Sequence, residues 1–223
     1  MLPIRRNITT VNRTVMRNKE NKYIVVHYVG AVSTAKNNTD YYKSVDRQAS
    51  AHYFVDENSI WQCVEDKDKA WHCGGVIESS HHPYRNICTN SNSIGVEMCC
   101  KKTSEGEWYF EEATVKNTVD LICYLMRNYG ISINNVIRHY DVTGKSCPKP
   151  YVDNIKWNEF RDRIRKELNP MKELETVNDI VWELEHRGII TNADLWLHKM
   201  ETDSNVYWLC RKMVNYIINA ESR

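Results

Sequence analysis

A chain of 223 residues with 26% charged and 42% hydrophobic residues, 8 Gly and 5 Pro has the make-up of an ordered globular protein, not of a linker-rich or disordered one. Its 30 Lys and Arg nearly cancel 29 Asp and Glu, so no net field draws it to nucleic acid or to an anionic membrane, and any ligand must be recognised by a local site. No run approaches the roughly 20 apolar residues of a membrane span, so no membrane insertion is expected. The N-terminal stretch, with Arg5, Arg6, Arg13 and Arg17, lacks the roughly 7–15 uninterrupted apolar residues of a secretion signal. Synthesis in the cytoplasm without a signal peptide is therefore expected. The eight cysteines, Cys99 and Cys100 adjacent among them, are then reduced thiols apart from any that bind metal.

In chain order, Tyr23-Ile-Val-Val-His27 reads as a buried strand with Tyr23, Val25 and His27 on one face. Residues 39–48 are polar and Tyr-containing and predict a helix. Ala51–Val55 and Ile60–Val64, joined by the turn-prone Asp56-Glu-Asn-Ser59, predict a hairpin. Ser93–Met98 is a strand on which Gly95, Glu97 and Cys99 share a face, and a carboxylate in so apolar a strand asks for an explanation. Glu111–Tyr129 places Val115, Thr118, Val119, Ile122, Leu125, Met126 and Tyr129 at helical spacing, and Gly130 is a stop. Val136–His139 predicts a short strand, followed by a loop with Gly144, Pro148 and Pro150 and a helix around Trp157–Leu168. These elements predict an α/β domain over residues 1–168, a central mixed β-sheet flanked by helices.

Past Asn169-Pro170 the pattern predicts a small all-helical C-terminal unit over residues 172–223. Its helices are Val177–Arg187, one from about Asn192, and one from about Ser204 to Ala220 with Val206, Leu209, Cys210, Met213 and Ile217 on one stripe. So small a unit is expected to pack on the main domain or on a copy of itself.

His139 and Cys147, eight apart across a loop with Gly144 and two prolines, can converge on one point, although such spacing is also that of an unliganded pair. A catalytic zinc site needs three protein ligands and an open position, and His27 at its strand end would be the third. A structural zinc site needs a fourth ligand, such as Asp141.

The segments Tyr23–His27, Ser50–Asp56, Ile60–Val64, Ala70-Trp-His-Cys-Gly-Gly75, Ser93–Met98 and Arg138-His-Tyr-Asp-Val-Thr-Gly-Lys-Ser-Cys-Pro148 together resemble the type 2 N-acetylmuramoyl-L-alanine amidases. That family includes phage endolysins and autolysins and is related in fold to the peptidoglycan recognition proteins. The likeness runs over roughly residues 20–165, with the motifs in the family's order. It implies zinc (Zn2+) held by His27, His139 and Cys147, which lowers the pKa of its water from 15.7 towards ~7 and polarises the amide carbonyl.

Further roles are implied by the same resemblance. Glu97 matches the proton-transferring acid, against the alternative of a carboxylate paired with a lysine such as Lys101. Lys145 matches an oxyanion-stabilising position, against a solvated loop lysine. Tyr53 matches a tyrosine near the zinc, against a half-buried strand residue. His72 resembles a substrate-cleft position, and Trp71 stacks on substrate or fills core. His52, His81, His82, His186 and His198 read as structural or surface residues, and the cysteines other than Cys147 as core thiols. Each histidine ligand should pass its second ring N–H to an acceptor that the sequence does not name.

The C-terminal Glu185-His-Arg-Gly-Ile-Ile190 with Trp196 resembles a segment that follows catalytic domains in peptidoglycan hydrolases. Cell-wall binding or self-association is implied, beside the alternative of a stabilising appendage. The function expected is hydrolysis of peptidoglycan between N-acetylmuramic acid and L-alanine by an endolysin acting on a Gram-positive wall after release by a holin or lysis. The alternatives are a non-catalytic peptidoglycan-binding module and a cytoplasmic muropeptide-recycling amidase.

Overall fold

Apolar runs too short to make helices become strands, and the amphipathic stretches between them become helices. The computed structural model describes residues 1–75, 82–168 and 176–221, with side chains as far as residue 217. The chain divides into two compact units, Met1–Glu167 and Leu168–Arg223.

The first unit is built on β1 (Ile4–Arg6), β2 (Tyr23–Tyr28), β3 (Tyr53–Val55), β4 (Ile60–Gln62), β5 (Ser93–Met98) and β8 (Val136–Arg138), with β6 (Lys101–Lys102) and β7 (Trp108–Tyr109) as a separate ribbon. The sheet order is β1-β4-β3-β5-β2-β8. β3, β5, β2 and β8 run parallel and β4 antiparallel to β3, which is the mixed sheet expected from the sequence. Ile24, Val25, Val26, Ile94 and Val96 are fully buried, as central strands covered on both faces require.

On one face lies α1 (Ala35–Lys43), where Ala35, Ala51, Phe54, Cys63 and Cys99 form a cluster. Against β5 and β3 packs α2 (Glu112–Tyr129), which buries Val115, Val119, Ile122 and Met126, leaves Tyr129 of the expected stripe exposed, and ends at Gly130 as expected. Next come α3 (His139–Thr143) and α4 (Asn154–Leu168), the latter burying Trp157, Phe160 and Ile164.

Four features differ from expectation, the unforeseen β6–β7 ribbon among them. α1 begins earlier than residue 39 because its first turn is capped twice: Thr34 accepts from Asn37 N–H at 3.2 Å, and the distant Asp56 accepts from Ala35 N–H at 2.7 Å. β1 was unforeseen, a three-residue edge strand that exists through pairing with β4. His139 does not end β8 but opens α3.

In the second unit α5 (Val177–His186), α6 (Ala193–Thr202) and α7 (Ser204–Glu221) enclose Ile180, Val181, Leu184, Ile190, Met200, Cys210 and Val214. The expected α7 stripe is corrected: Leu209 is 68% exposed, and the buried line follows the four-residue spacing of Cys210 and Val214. No helix among the described residues is long and apolar enough to cross a membrane.

Candidate metal centre and active site

The candidate ligands arrive at the carboxyl ends of neighbouring parallel strands, where open α/β sheets form their ligand crevices. Val26 on β2 pairs with Arg138 on β8. The next residue along each chain, His27 and His139, therefore sits beside its counterpart, with ring centroids 4.6 Å apart. On the other side of β2, Glu97 of β5 is directly opposite His27, and paired residues of adjacent strands project from the same face.

Cys147 returns to this point through a tight loop. Gly144 closes α3 at φ 79°, a left-handed conformation that a side chain would strain. Beyond it, Tyr140 N–H donates to Cys147 O at 2.7 Å. The loop is braced by the buried Arg138, which donates to Asp141 and to the carbonyls of Tyr151 and Val152, at 2.7–3.2 Å. Cys147 Sγ lies 3.7 Å from His27 Nδ1. One ligand atom each from His27, His139 and Cys147 lies within 4.8 Å of the others, and all three residues are buried. Asp141, weighed above as a fourth ligand, is instead taken up by Arg138.

Burial, reinforced by His139, depresses the His27 pKa well below the ordinary histidine value, and burial takes His139 down to about 4. Both rings are therefore neutral near pH 7 and each keeps one lone pair for a cation. Burial pushes the Cys147 thiol up, and a coordinating cation reverses that order by deprotonating it. The Glu97 carboxyl is raised to about 7 by burial, against the opposing pull of His72 and Lys145. Its Oε2 is buried with no hydrogen-bond partner among the described residues, an uncommon state for a native carboxylate. Lys101, the alternative partner, pairs with Glu57 at 2.8 Å. Lys145 is exposed, and its charge acts on Glu97 and both ring ligands. Two neutral imidazoles and a thiol make a donor set that fits zinc with an open position, with the orphaned Glu97 oxygen on the strand beside it.

The second ring nitrogens have partners. His139 Nε2 donates to Gly74 O at 2.9 Å, and His27 Nε2 lies 3.1 Å from His72 Nδ1. Neither partner was legible in advance. The available signals were the paired glycines after His72 and a glycine inside the β5 strand pattern, which marks a close approach.

Three further candidates are placed as follows. Tyr53 is opposite Val96, one residue out of phase with Glu97, so it projects from the other face, towards α2. There its hydroxyl donates to Asp66 at 2.8 Å, alongside that of Tyr129. His72 is 7% exposed and lies against His27 and Ser93. Trp71 is fastened by its indole N–H to Thr14 at 3.0 Å and by its backbone N–H to Ser50 at 2.9 Å. Of the remaining histidines, His52 is fully buried and accepts from Gly95 N–H, and His186 stacks on Trp182. His81 lies outside the described residues.

Comparison with known proteins matches residues 17–150, which contain all the residues of this cluster, to the N-acetylmuramoyl-L-alanine amidase family. The amidase CwlL of Bacillus licheniformis is 34% identical over 150 residues, covering 64% of this chain and 40% of that protein. BlyA of Bacillus subtilis strain 168 is 33% identical over 158 residues, 66% of this chain and 42% of its own length. The chain thus spans about two-fifths of the length of these curated relatives. A solved structure described as a mutant endolysin from Bacillus subtilis superposes with a TM-score of 0.59 at 29% identity, over 74% of this chain and 99% of that one. With a family match over more than half its length, this chain belongs to the N-acetylmuramoyl-L-alanine amidase family.

Proposed function

We propose that this chain hydrolyses the amide between the lactyl group of N-acetylmuramic acid and L-alanine in peptidoglycan, with zinc held by His27, His139 and Cys147. The observation that carries this reading is the buried convergence of two imidazoles and a thiol within 4.8 Å beside a carboxylate with an unpartnered oxygen. When bound, zinc supplies Lewis acidity towards the scissile carbonyl and the attacking water. Glu97, raised to about 7, takes the proton of that water and returns it to the leaving nitrogen, a task suited to a group that titrates near the working pH. Lys145 offers a cation to the developing oxyanion.

The setting we infer is lysis of a Gram-positive wall after release by a holin or by lysis, and the Bacillus amidases and endolysin among the relatives support it. The helical second unit is assigned to wall binding or self-association. A binding module without activity would need neither the thiol ligand nor an ionisable Glu97.

The test is to incubate the purified protein with Gram-positive sacculi and count new L-alanine amino termini, with chelator and with added zinc. Zinc-dependent release is expected, lost in Cys147→Ser together with metal and lost in Glu97→Ala while metal is retained. Binding to sacculi without new amino termini at any zinc level would replace the enzyme with the binding module.

A further inference from the structure

A row of four groups leads away from the metal cluster, and its last member dictates the hydrogen-bond direction of the others. His27 Nε2 is 3.1 Å from His72 Nδ1, His72 Nε2 is 3.2 Å from Ser93 Oγ, and Ser93 Oγ is 2.6 Å from Thr89 O. A carbonyl can only accept, so the Ser93 hydroxyl hydrogen is committed to Thr89. Ser93 Oγ is then left to accept, and His72 Nε2–H at 3.2 Å is nearer to it than the Cys73 thiol at 3.4 Å. With its Nε2–H given to Ser93, the His72 ring accepts on Nδ1, and the nearer of the two groups facing that atom is His27 Nε2 at 3.1 Å, with the Cys73 thiol at 3.4 Å, so we assign the donated hydrogen to His27 Nε2–H. The His27 lone pair is thereby confined to Nδ1, the atom 3.7 Å from Cys147 Sγ. His139 reaches the same state in one step, since Gly74 O accepts its Nε2–H.

We propose that His72 is a positioning residue of the metal centre: with Ser93 and the Thr89 carbonyl it holds His27 in the tautomer and orientation that present Nδ1 to zinc. This rests on the metal reading given above. The surroundings are built for that task. Asn90 Oδ1 accepts from the backbone N–H of both His72 and Cys73, at 2.9 and 2.7 Å, so the loop that carries the ring is tied down. Gly95 leaves room for the ring, because a Cβ there would stand 2.7 Å from His72 Cγ. The outer partner of a metal-bound imidazole raises its basicity as well as fixing its angle, and losing such a partner lowers metal affinity by roughly 10- to 100-fold.

Two measurements test the assignment. Zinc affinity of the full chain, read by competition with a chromophoric chelator, should fall by roughly 10- to 100-fold in His72→Ala. It should recover in His72→Asn, whose Oδ1 can accept in place of Nδ1, and fall again in Gly95→Ala, which evicts the ring. Unchanged zinc affinity in His72→Ala together with a raised KM would return His72 to the substrate side and overturn the proposal. Long-range proton–nitrogen NMR of the wild-type metal-free protein reads the tautomers directly, and does so even if a variant fails to fold. Nε2–H on both His27 and His72 is expected, and Nδ1–H on His72 would overturn the relay. Because the tautomers are read without metal or substrate, a failure of the amidase reading leaves this result standing on its own.

Discussion

At Glu97 the chemistry asks for a carboxylate where burial disfavours one. In the folded chain the carboxyl keeps its proton up to about 7, from an ordinary 4.5, whereas the unfolded chain releases it near the ordinary value. Between those values the folded state binds more protons than the unfolded one, so this group makes stability fall as pH rises. Glu97→Gln removes the penalty. In the metal-free protein it should stabilise by on the order of 3 kcal/mol at about pH 8, and the gain should vanish near pH 4. Urea unfolding at the two pH values checks this, and a gain that does not depend on pH would refute it. The same variant should retain zinc but lose roughly 100- to 10,000-fold in hydrolysis rate, the contribution usual for a positioned acid–base group. Glu97 was legible because a charge in an apolar strand stands out. The partners of the histidines were not, since Gly74, Ser93 and Asn90 are ordinary polar or small residues until the fold assembles them around His27, His72 and His139.

Among the elements, α3 and its loop decide whether Cys147 meets the histidines. Arg138, buried with Asp141 and bonded to two carbonyls beyond the loop, is the pin. Arg138→Ala leaves Asp141 as a buried, unpaired charge and should cost ~3–5 kcal/mol. Zinc affinity should fall with it, because the path from His139 to Cys147 loosens. Parallel thermal melts and zinc titrations would show both losses, and a stable variant with wild-type zinc affinity would exclude the brace. Long patterned elements such as β2, β5 and α2 were readable because they announce their period. β1 and α3, of three and five residues, are too short to have one, and the start of α1 depends on a cap from Asp56, 21 residues along the chain from Ala35.

Across the whole molecule, two separate cores predict two separable stabilities. Leu184 is fully buried at the centre of the helical unit. Leu184→Ala should destabilise that unit by ~2–5 kcal/mol while leaving zinc binding and hydrolysis of small soluble muropeptides unchanged. Calorimetry should show an early transition that moves and a later, zinc-sensitive transition that does not. A loss of zinc binding in this variant would mean the two units fold as one. Turnover of intact sacculi by the same variant separates wall binding, where it drops, from a mere appendage, where it does not.

The sequence by itself determined which side chains share a face. Two-residue alternation put Tyr23, Val25 and His27 together and Glu97 with Gly95, and three- and four-residue spacing drew the buried side of α2. It also carried the resemblance that brings His27, His139 and Cys147 to one candidate metal site. The tertiary structure alone decided how those faces align. Register between β3 and β5 sent Tyr53 away from the cluster by pairing it with Val96, and the close approach of a loop and a strand put His72 against His27. Alternation is a property of one strand's own covalent geometry, whereas register and loop packing are settled by hydrogen bonds and contacts between residues far apart in the chain.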